Sequence, residues 1–296
     1  MSSFVQTVRQ LSASLRMLLA FTVVCGVAYP LLITVVSQVP GLKSRADGSL
    51  VKAGGTVVGS SLLGQSFTDA KGNPLPQYFQ TRPSAGGYDA TASGASNLGP
   101  ESIRDTLPNP AVKGDTGTQS LLTQVCSRSL AIGRLDGVDG SRPYCTSGGV
   151  GAALAVFSAG PGYHGAVTRA VSVNQACPAT PFLATYRGVP VQCATYGVDY
   201  AKGKLVPIRG DAPSQPAVPA DAVTASGSGL DPQISPAYAA LQERLVARTR
   251  GISVAQVAAL VAQNSDGRGL GFMGEGRVNV LELNLALDRH YPYAGR

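Results

Sequence analysis

Met17 to Val36 (MLLAFTVVCGVAYPLLITVV) is a single run of twenty residues without a charge. At about 1.5 Å of rise per residue it makes a helix of about 30 Å, the thickness of a bilayer's hydrocarbon core. No second run of this kind exists, and the remainder has the composition of a water-facing domain. The sequence predicts one membrane span followed by one large extramembrane domain. A lone helix has no partner with which to line a path, so the chain by itself is neither channel nor pump.

Arg9 and Arg16 precede the run, and no acid lies between Met1 and Val36. The positive-inside rule places the short tail in the cytoplasm and the rest outside, although Lys43, Arg45 and Lys52 flank the far end. Cysteine usage favours the same orientation. Cys25 lies within the span, while Cys126, Cys145, Cys177 and Cys193 fall in one stretch of under 70 residues. In an oxidising compartment they read as two disulfides, with three pairings open; four buried thiols are the alternative. No C-x-x-C occurs to suggest zinc or thioredoxin-like chemistry. A cleaved signal peptide ending near Gly26-Val27-Ala28 is the rival to a retained anchor, but the hydrophobicity continues to Val36.

The net charge of +7 is spread without a basic run, and aromatic platforms are absent, which argues against nucleic acid. Glycine (36) and proline (20) suit a loop-rich domain containing strands. Residues 40–55 read as a connector. Thr56 to Phe67 predicts two strands about a Gly59-Ser60 turn, and Gln77 to Arg82 a third. Leu98 to Ile103 predicts a turn feeding a short helix before Pro108. Within 109–209, Leu154–Phe157, Val167–Val173 and Val189–Val198 read as strands of a small disulfide-stapled β module. After the Pro-rich hinge at 211–219 the pattern becomes helical. Ser235-Pro236 opens a helix closed by Gly251, and Ser253–Gln256 is a capping box before Val254, Val257, Ala258 and Val261. Val280, Leu283 and Leu287 mark the last helix. The fold class expected is α+β: an N-terminal transmembrane helix, then a mixed extracytoplasmic domain with a β-rich insert.

Catalytic constellations are sparse. His164 and His290 are the only histidines, no G-x-S-x-G elbow occurs, and Gly197 with Gly203-Lys204 misses the phosphate-loop spacing. Gly149-Val150-Gly151 begins a dinucleotide fingerprint without completing it. Two polar, glycine-dense segments, 93–97 and 224–232, read as backbone nests or docking surfaces, or else as tight turns. Arg277 and Asn279 read as partner contacts or as caps of the last helix. Asp89, Asp231 and Glu275 have solvated carboxylates as their default reading.

Several long motifs then occur in one order: LLAFTVVCGVAYPLLITVVSQ (18–38), GSSLLGQSF (59–67), YFQTRPSAGGYDATASGASNLGP (78–100), VPADAVTASGSGLDPQISPAYAALQERLVARTRG (218–251) and GFMGEGRVNVLELNLALD (271–288). Together they cover roughly half the chain, which on these residues resembles the KdpC family, one of the component chains of the bacterial Kdp potassium-transporting ATPase. Two departures stand out. The segment 109–209 is longer than the family's usual one and holds all four cysteines, and Gly276 replaces a common proline. The resemblance implies three regions: a tail and transmembrane helix (1–38), a family-like domain (39–108 and 210–296) and an insert (109–209).

It further implies a non-catalytic, single-pass component of the inner (plasma) membrane. The N-terminus would be cytoplasmic and the main domain periplasmic. The implied partners are the lipid bilayer, the potassium-translocating KdpA, the ATP-hydrolysing KdpB and the small KdpF, in a complex that uses ATP, magnesium and potassium. The chain would stabilise that complex and raise the pump's ATP affinity as a catalytic chaperone, with no cofactor or metal of its own. An ATP contact at Ser93–Asn97, which loosely resembles an ATP-binding-cassette signature, would conflict with an extracytoplasmic placement, so the expected coupling is allosteric. Expected docking residues are Tyr29 and Pro30 in the membrane, with Arg82, Asn97, Asp231, Arg277 and Asn279 on the domain. The alternative is a secreted or anchored hydrolase using His164 as base, or a binding module built on the insert.

Overall fold

The computed structural model describes residues 2–293 and 295, in two compact units that divide after Leu62. In the first unit, α1 (Ser2–Val23), a π-helical turn (Val24–Ala28) and α2 (Tyr29–Ser37) run as one helix. Its stretch Phe4–Ser37 is long and apolar enough to cross a membrane. A short α3 (Lys43–Ala46) follows. Then β1 (Leu50–Ala53) pairs antiparallel with β2 (Thr56–Ser60) around Gly54-Gly55, both at positive φ. The expected turn at Gly59-Ser60 is therefore the end of a strand. The real turn is the Gly-Gly pair, which tolerates φ > 0 without a Cβ clash. Part of the expected connector is thus the first arm of the hairpin.

The second unit is mixed. A five-stranded sheet is formed by β3 (Ala153–Ser158), β4 (Val167–Ala176), β5 (Thr185–Tyr186), β6 (Val189–Ala194) and β7 (Lys204–Pro207), in the order β5-β6-β4-β3-β7. Only β4 and β6 run parallel. The disulfides join Cys126 to Cys145 and Cys177 to Cys193. The second closes the crossover between that parallel pair, where the Cys177 amide also donates to the Ala194 carbonyl (2.9 Å).

The segment 109–209 is not purely β. It opens with a four-turn helix, α4 (Leu121–Asp136), capped by Ser120, whose hydroxyl accepts from the Thr123 amide, and ended by Gly137 at φ 72°. Both caps are legible in the sequence, but cysteines and strand-like runs surround them. The helix lies close against the loop that follows, since a Cβ on Gly133 would sit 2.6 Å from Gly140. Val125, Ile132 and Val138 pack on the main core of the unit.

That core is built by α5 (Ala220–Val223), α6 (Pro236–Arg250), α7 (Val254–Gln263) and α8 (Val280–His290). A small sheet, β8 (Gln233–Ile234), β9 (Ser265–Asp266) and β10 (Arg277–Asn279), completes it in the order β8-β10-β9. The expected caps are present: Ser235 accepts from the Tyr238 amide (3.0 Å), Gly251 ends α6 at φ 69°, and Ser253 and Gln256 form the capping box.

Gln77 to Arg82 is not a strand. Its core-facing backbone groups are bonded by side-chain amides of two helices. Asn284 of α8 accepts from the Phe79 amide (2.9 Å) and donates to its carbonyl (3.0 Å). Gln242 of α6 does the same for Gln80 (2.6 and 3.3 Å). Leu98 to Ile103 likewise forms turns without a helix. The Ser102 hydroxyl and carbonyl instead accept from the Leu121 and Leu122 amides at the start of α4.

Asp136 closes α4 with a half-buried carboxylate whose Oδ1 has no hydrogen-bond partner. It also sits at the negative end of the helix dipole. Burial pushes its pKa up to about 6, from 3.8. A raised carboxylate stabilises the fold below the unfolded value and loses that contribution as pH rises through the folded one. Asp136→Asn is therefore expected to stabilise the protein at pH about 7.5, by on the order of 1–2 kcal/mol once partial exposure is discounted. At pH about 4.5 the gain should be smaller. Urea unfolding at both pH values, followed by circular dichroism because the chain lacks tryptophan, checks this. Equal gains at both would contradict it.

Candidate docking surface

The polar segments that stood apart in the sequence meet in the second unit. Arg82, at the end of the amide-clamped segment, pairs with Asp231 (3.2 Å) and donates to the Thr224 and Ala225 carbonyls (3.4 Å each). The other oxygen of Asp231 accepts from the Gln233 amide (3.0 Å). This ion pair is about one-quarter exposed on both sides, so it is only partly screened by solvent and restrains the two loops.

Further bonds lock the loops together. Tyr88 donates its hydroxyl to the Arg82 carbonyl (2.6 Å), and the Ser84 hydroxyl donates to the Gly229 carbonyl (2.6 Å). The Gly94 amide donates to the Ser228 carbonyl (2.9 Å), and the Gly64 amide to the Leu230 carbonyl (2.8 Å). Burial raises the Tyr88 pKa above that of a free tyrosine, which keeps the hydroxyl a donor. Two glycines are required by close approach. A Cβ on Gly64 would fall 2.5 Å from the Asp231 carbonyl oxygen, and one on Gly229, at φ 68°, would fall 2.7 Å from the Gly94 carbonyl oxygen. The glycine-dense composition thus reflects packing of backbone on backbone. The Gly94 amide, one donor of the expected nest, is spent inside the protein.

Asn97 lies on this surface, exposed and at φ 54°. The loops continue into β8, because the Val280 amide donates to the Pro232 carbonyl (3.0 Å) and Asn279 pairs in register with Gln233. Asn279 caps α8, its side chain accepting from the Glu282 amide (3.1 Å). Arg277 is exposed and pairs with Asp266 (3.3 Å). Tyr29 and Pro30 belong to the other unit, on the membrane-length helix, where Tyr29 is exposed.

Sequence reasoning missed an apolar tip. Between β9 and β10 the chain makes a tight turn closed by reciprocal Gly269–Met273 backbone bonds (2.8 Å each). It presents Leu270 (84% exposed), Phe272 (73%) and Met273 (57%). Leu270 is itself at φ 52°, and Phe272 and Met273 lie between Gly271 (φ 80°) and Gly274 (φ 74°); three exposed large apolar side chains are costly in water, and such patches mark interaction surfaces. The signal is legible in GLGFMG: apolar residues inside a glycine-rich stretch that has no helical or strand period.

His164 stands on an exposed loop, and among the described residues no three His, Cys, Asp or Glu side chains are grouped to hold a metal ion. What these residues form is a class recognisable by its parts: a domain, following in the chain one membrane-length helix, whose polar loops are braced by internal bonds. Comparison with known proteins makes this particular. The chain matches the family described as K+-transporting ATPase, c chain, over residues 11–107 and 200–289. It is 35% identical to the potassium-transporting ATPase KdpC subunit of Mycobacterium tuberculosis (strain H37Rv) over 283 residues, 95% of this chain and 98% of that protein. It is 36% identical to the same subunit of Kineococcus radiotolerans over 96% of this chain and 95% of that protein, and 34% identical to that of Rhodospirillum rubrum over 97% and 98%. The chain belongs to the KdpC family and is a non-catalytic subunit. The family match leaves out residues 108–199.

Proposed function

We propose that this chain is the anchored, extracytoplasmic docking subunit of an ATP-driven potassium import complex. The observation that carries the reading is the convergence of family-shared segments. Residues 82–97, 224–232 and 267–279 lie far apart in sequence but form continuous structure through the Arg82–Asp231 pair and β8-β10 pairing. The surface faces the potassium-translocating subunit, with the ATP-hydrolysing and small subunits completing the complex. The membrane-length helix and the two disulfides support a periplasmic placement. From there the chain touches no cytoplasmic nucleotide. It raises the pump's ATP affinity by binding one pump state better than another, the only way a remote contact shifts an equilibrium. The 109–209 segment acts in this reading as a buttress to the docking domain.

The experiment separates docking from folding. Leu270→Ser with Phe272→Ser removes exposed apolar surface, and Asn97→Ala an exposed side chain. These variants are expected to keep wild-type stability while recovery of partner subunits falls at least roughly ten-fold, the loss of about 1.4 kcal/mol. Unchanged recovery and potassium uptake in these variants and in Arg82→Ala with Asp231→Ala would show that docking uses another face.

A further inference from the structure

The 109–209 segment holds nine lysines and arginines against four acids, so it carries five of the chain's seven net positive charges. No acid occurs from Gly140 to Val198. One face of its five-stranded sheet borders a cleft. Leu205 of β7 pairs with Ala155 of β3, and Arg169 of β4 pairs with Phe157 of β3, so these four side chains share that face. Leu107 and Tyr200 pack on it as well.

Two hollows, of about 520 and 180 Å³, meet at Arg104. Tyr163, Lys204 and Leu205 line the larger, and Tyr196 and Val198 the smaller. Scattered along the sequence, these residues meet only in the fold. Both tyrosines are exposed, Tyr163 on a backbone held at φ 66°, an unusual state for a bulky residue. Their hydroxyls, the Arg104 guanidinium and the Lys204 ammonium have no hydrogen bond or ion pair with another described residue. Arg169, by contrast, is spent: it stacks on Phe157 and Tyr200 (5.6 and 5.7 Å) and donates to Gln192 (2.9 Å). Three acids also line the hollows. Asp105 accepts from Ser120 and Thr123, Asp199 accepts from the Ala201 amide (2.8 Å), and Glu101 remains as an acceptor.

We propose that this cleft binds an acidic polysaccharide, a chain of linked sugar rings bearing carboxylates. Each tyrosine offers an apolar ring and a polar tip, which suit the C–H face and the hydroxyls of a sugar. The Arg104 fork between them matches a carboxylate, and the acid-free module steers a polyanion toward it. Other anionic partners fit less well. A lipid surface is met by projecting side chains rather than by hollows. An acidic peptide would add to a free strand edge, but the edge strand at the cleft, β7, ends in Pro207, which has no N–H. The inference uses the extracytoplasmic placement proposed above, since such polymers lie outside the membrane. None of its residues belongs to the docking surface.

The test is isothermal titration of the full-length chain in mild detergent with oligogalacturonate, a carboxylated sugar oligomer, and with neutral maltodextrin. Wild type is expected to bind the acidic oligomer, less tightly as salt rises, and the neutral one at least roughly ten-fold more weakly. Arg104→Gln, and separately Tyr163→Ala with Tyr196→Ala, should each weaken binding roughly ten-fold or more while both disulfides stay formed. Arg248→Gln, which removes the same charge from an exposed position on α6, should change nothing. No binding by wild type, an equal loss with Arg248→Gln, or no loss with the tyrosine pair overturns the proposal. Polyglutamate bound as tightly would reassign the cleft to an acidic peptide, and displacement of the oligomer by phosphatidylglycerol vesicles would reassign it to lipid; either also overturns it. Oligomer bound by a chain that recruits no companion subunits would uphold this inference and remove the pump-subunit reading. Companions recovered by a chain that binds no oligomer would do the reverse.

Discussion

Replacing Asn284 by leucine is expected to destabilise the domain by about 2–5 kcal/mol, although the substitution adds an apolar side chain to a leucine-rich helix. The cost comes from Phe79. Its amide and carbonyl are both bonded to the Asn284 side chain, and each buried polar group left unpaired costs about 1–3 kcal/mol. Asn284 and the Phe79 side chain are buried, so water does not easily replace the amide. The same segment is held by Gln242 at Gln80 and by Arg250, whose guanidinium donates to the Gln77 and Tyr291 carbonyls (2.7 and 2.9 Å) and pairs with Asp288 (2.8 Å). Urea unfolding of the full-length chain in detergent, read by circular dichroism, measures the loss. A further effect should follow on function. Arg82 directly continues this segment, so Asn284→Leu should weaken docking even at temperatures where the domain stays folded. Stability within about 0.5 kcal/mol of wild type would show that the clamp is dispensable.

Deleting residues 110–208 is expected to leave the remainder unable to fold. A free-standing insert could be removed, but this segment packs on the main core. Without this segment, the main core loses Val125 and Ile132 of α4 and Val138 just beyond it. Polar ties go as well: Arg128 donates to the Val223 carbonyl (3.0 Å), Arg142 to the Val218 carbonyl, and Asp105 accepts from Ser120 and Thr123. Burial of a large aliphatic side chain is worth about 1.5–3 kcal/mol, and a domain's whole stability is about 5–15 kcal/mol. Even with partial burial discounted, losing three such contacts and their polar ties consumes most of that margin. Protease resistance of the truncated chain in membranes reads the outcome. A resistant core that still recruits companion subunits would make the segment a separate module.

Much of this is legible because local chemistry and tertiary structure agree in the C-terminal half. Ser235-Pro236, Ser253–Gln256 and Gly251 are caps whose function depends on neighbours within four residues, so their sequence signature survives any packing. The apolar run at 17–36 is legible for a similar reason, since length alone decides it. The misses occur where distant groups decide the local state. Gln77–Arg82 has the composition of a strand but finds its partners on two helices more than 150 residues away. Residues 224–232 look like turns and are turns, yet their role becomes visible only when Arg82 reaches them. The disulfide pairing is open among three possibilities in the sequence, because it depends on which helix, strand and loop segments the fold brings together. Helix α4 carries readable caps at both ends, but its cysteine and the flanking β-branched residues point toward a β module and outweigh them.

The central claim is that this chain is an anchored docking subunit of a potassium pump. The most direct test is an affinity pull-down of the tagged full-length chain from its native membrane in mild detergent, with the recovered material assayed for ATP hydrolysis with and without potassium. The account predicts recovery of larger membrane subunits and potassium-stimulated hydrolysis that is absent from the isolated chain. A soluble chain, shortened after Ala28 and recovered alone, would contradict it.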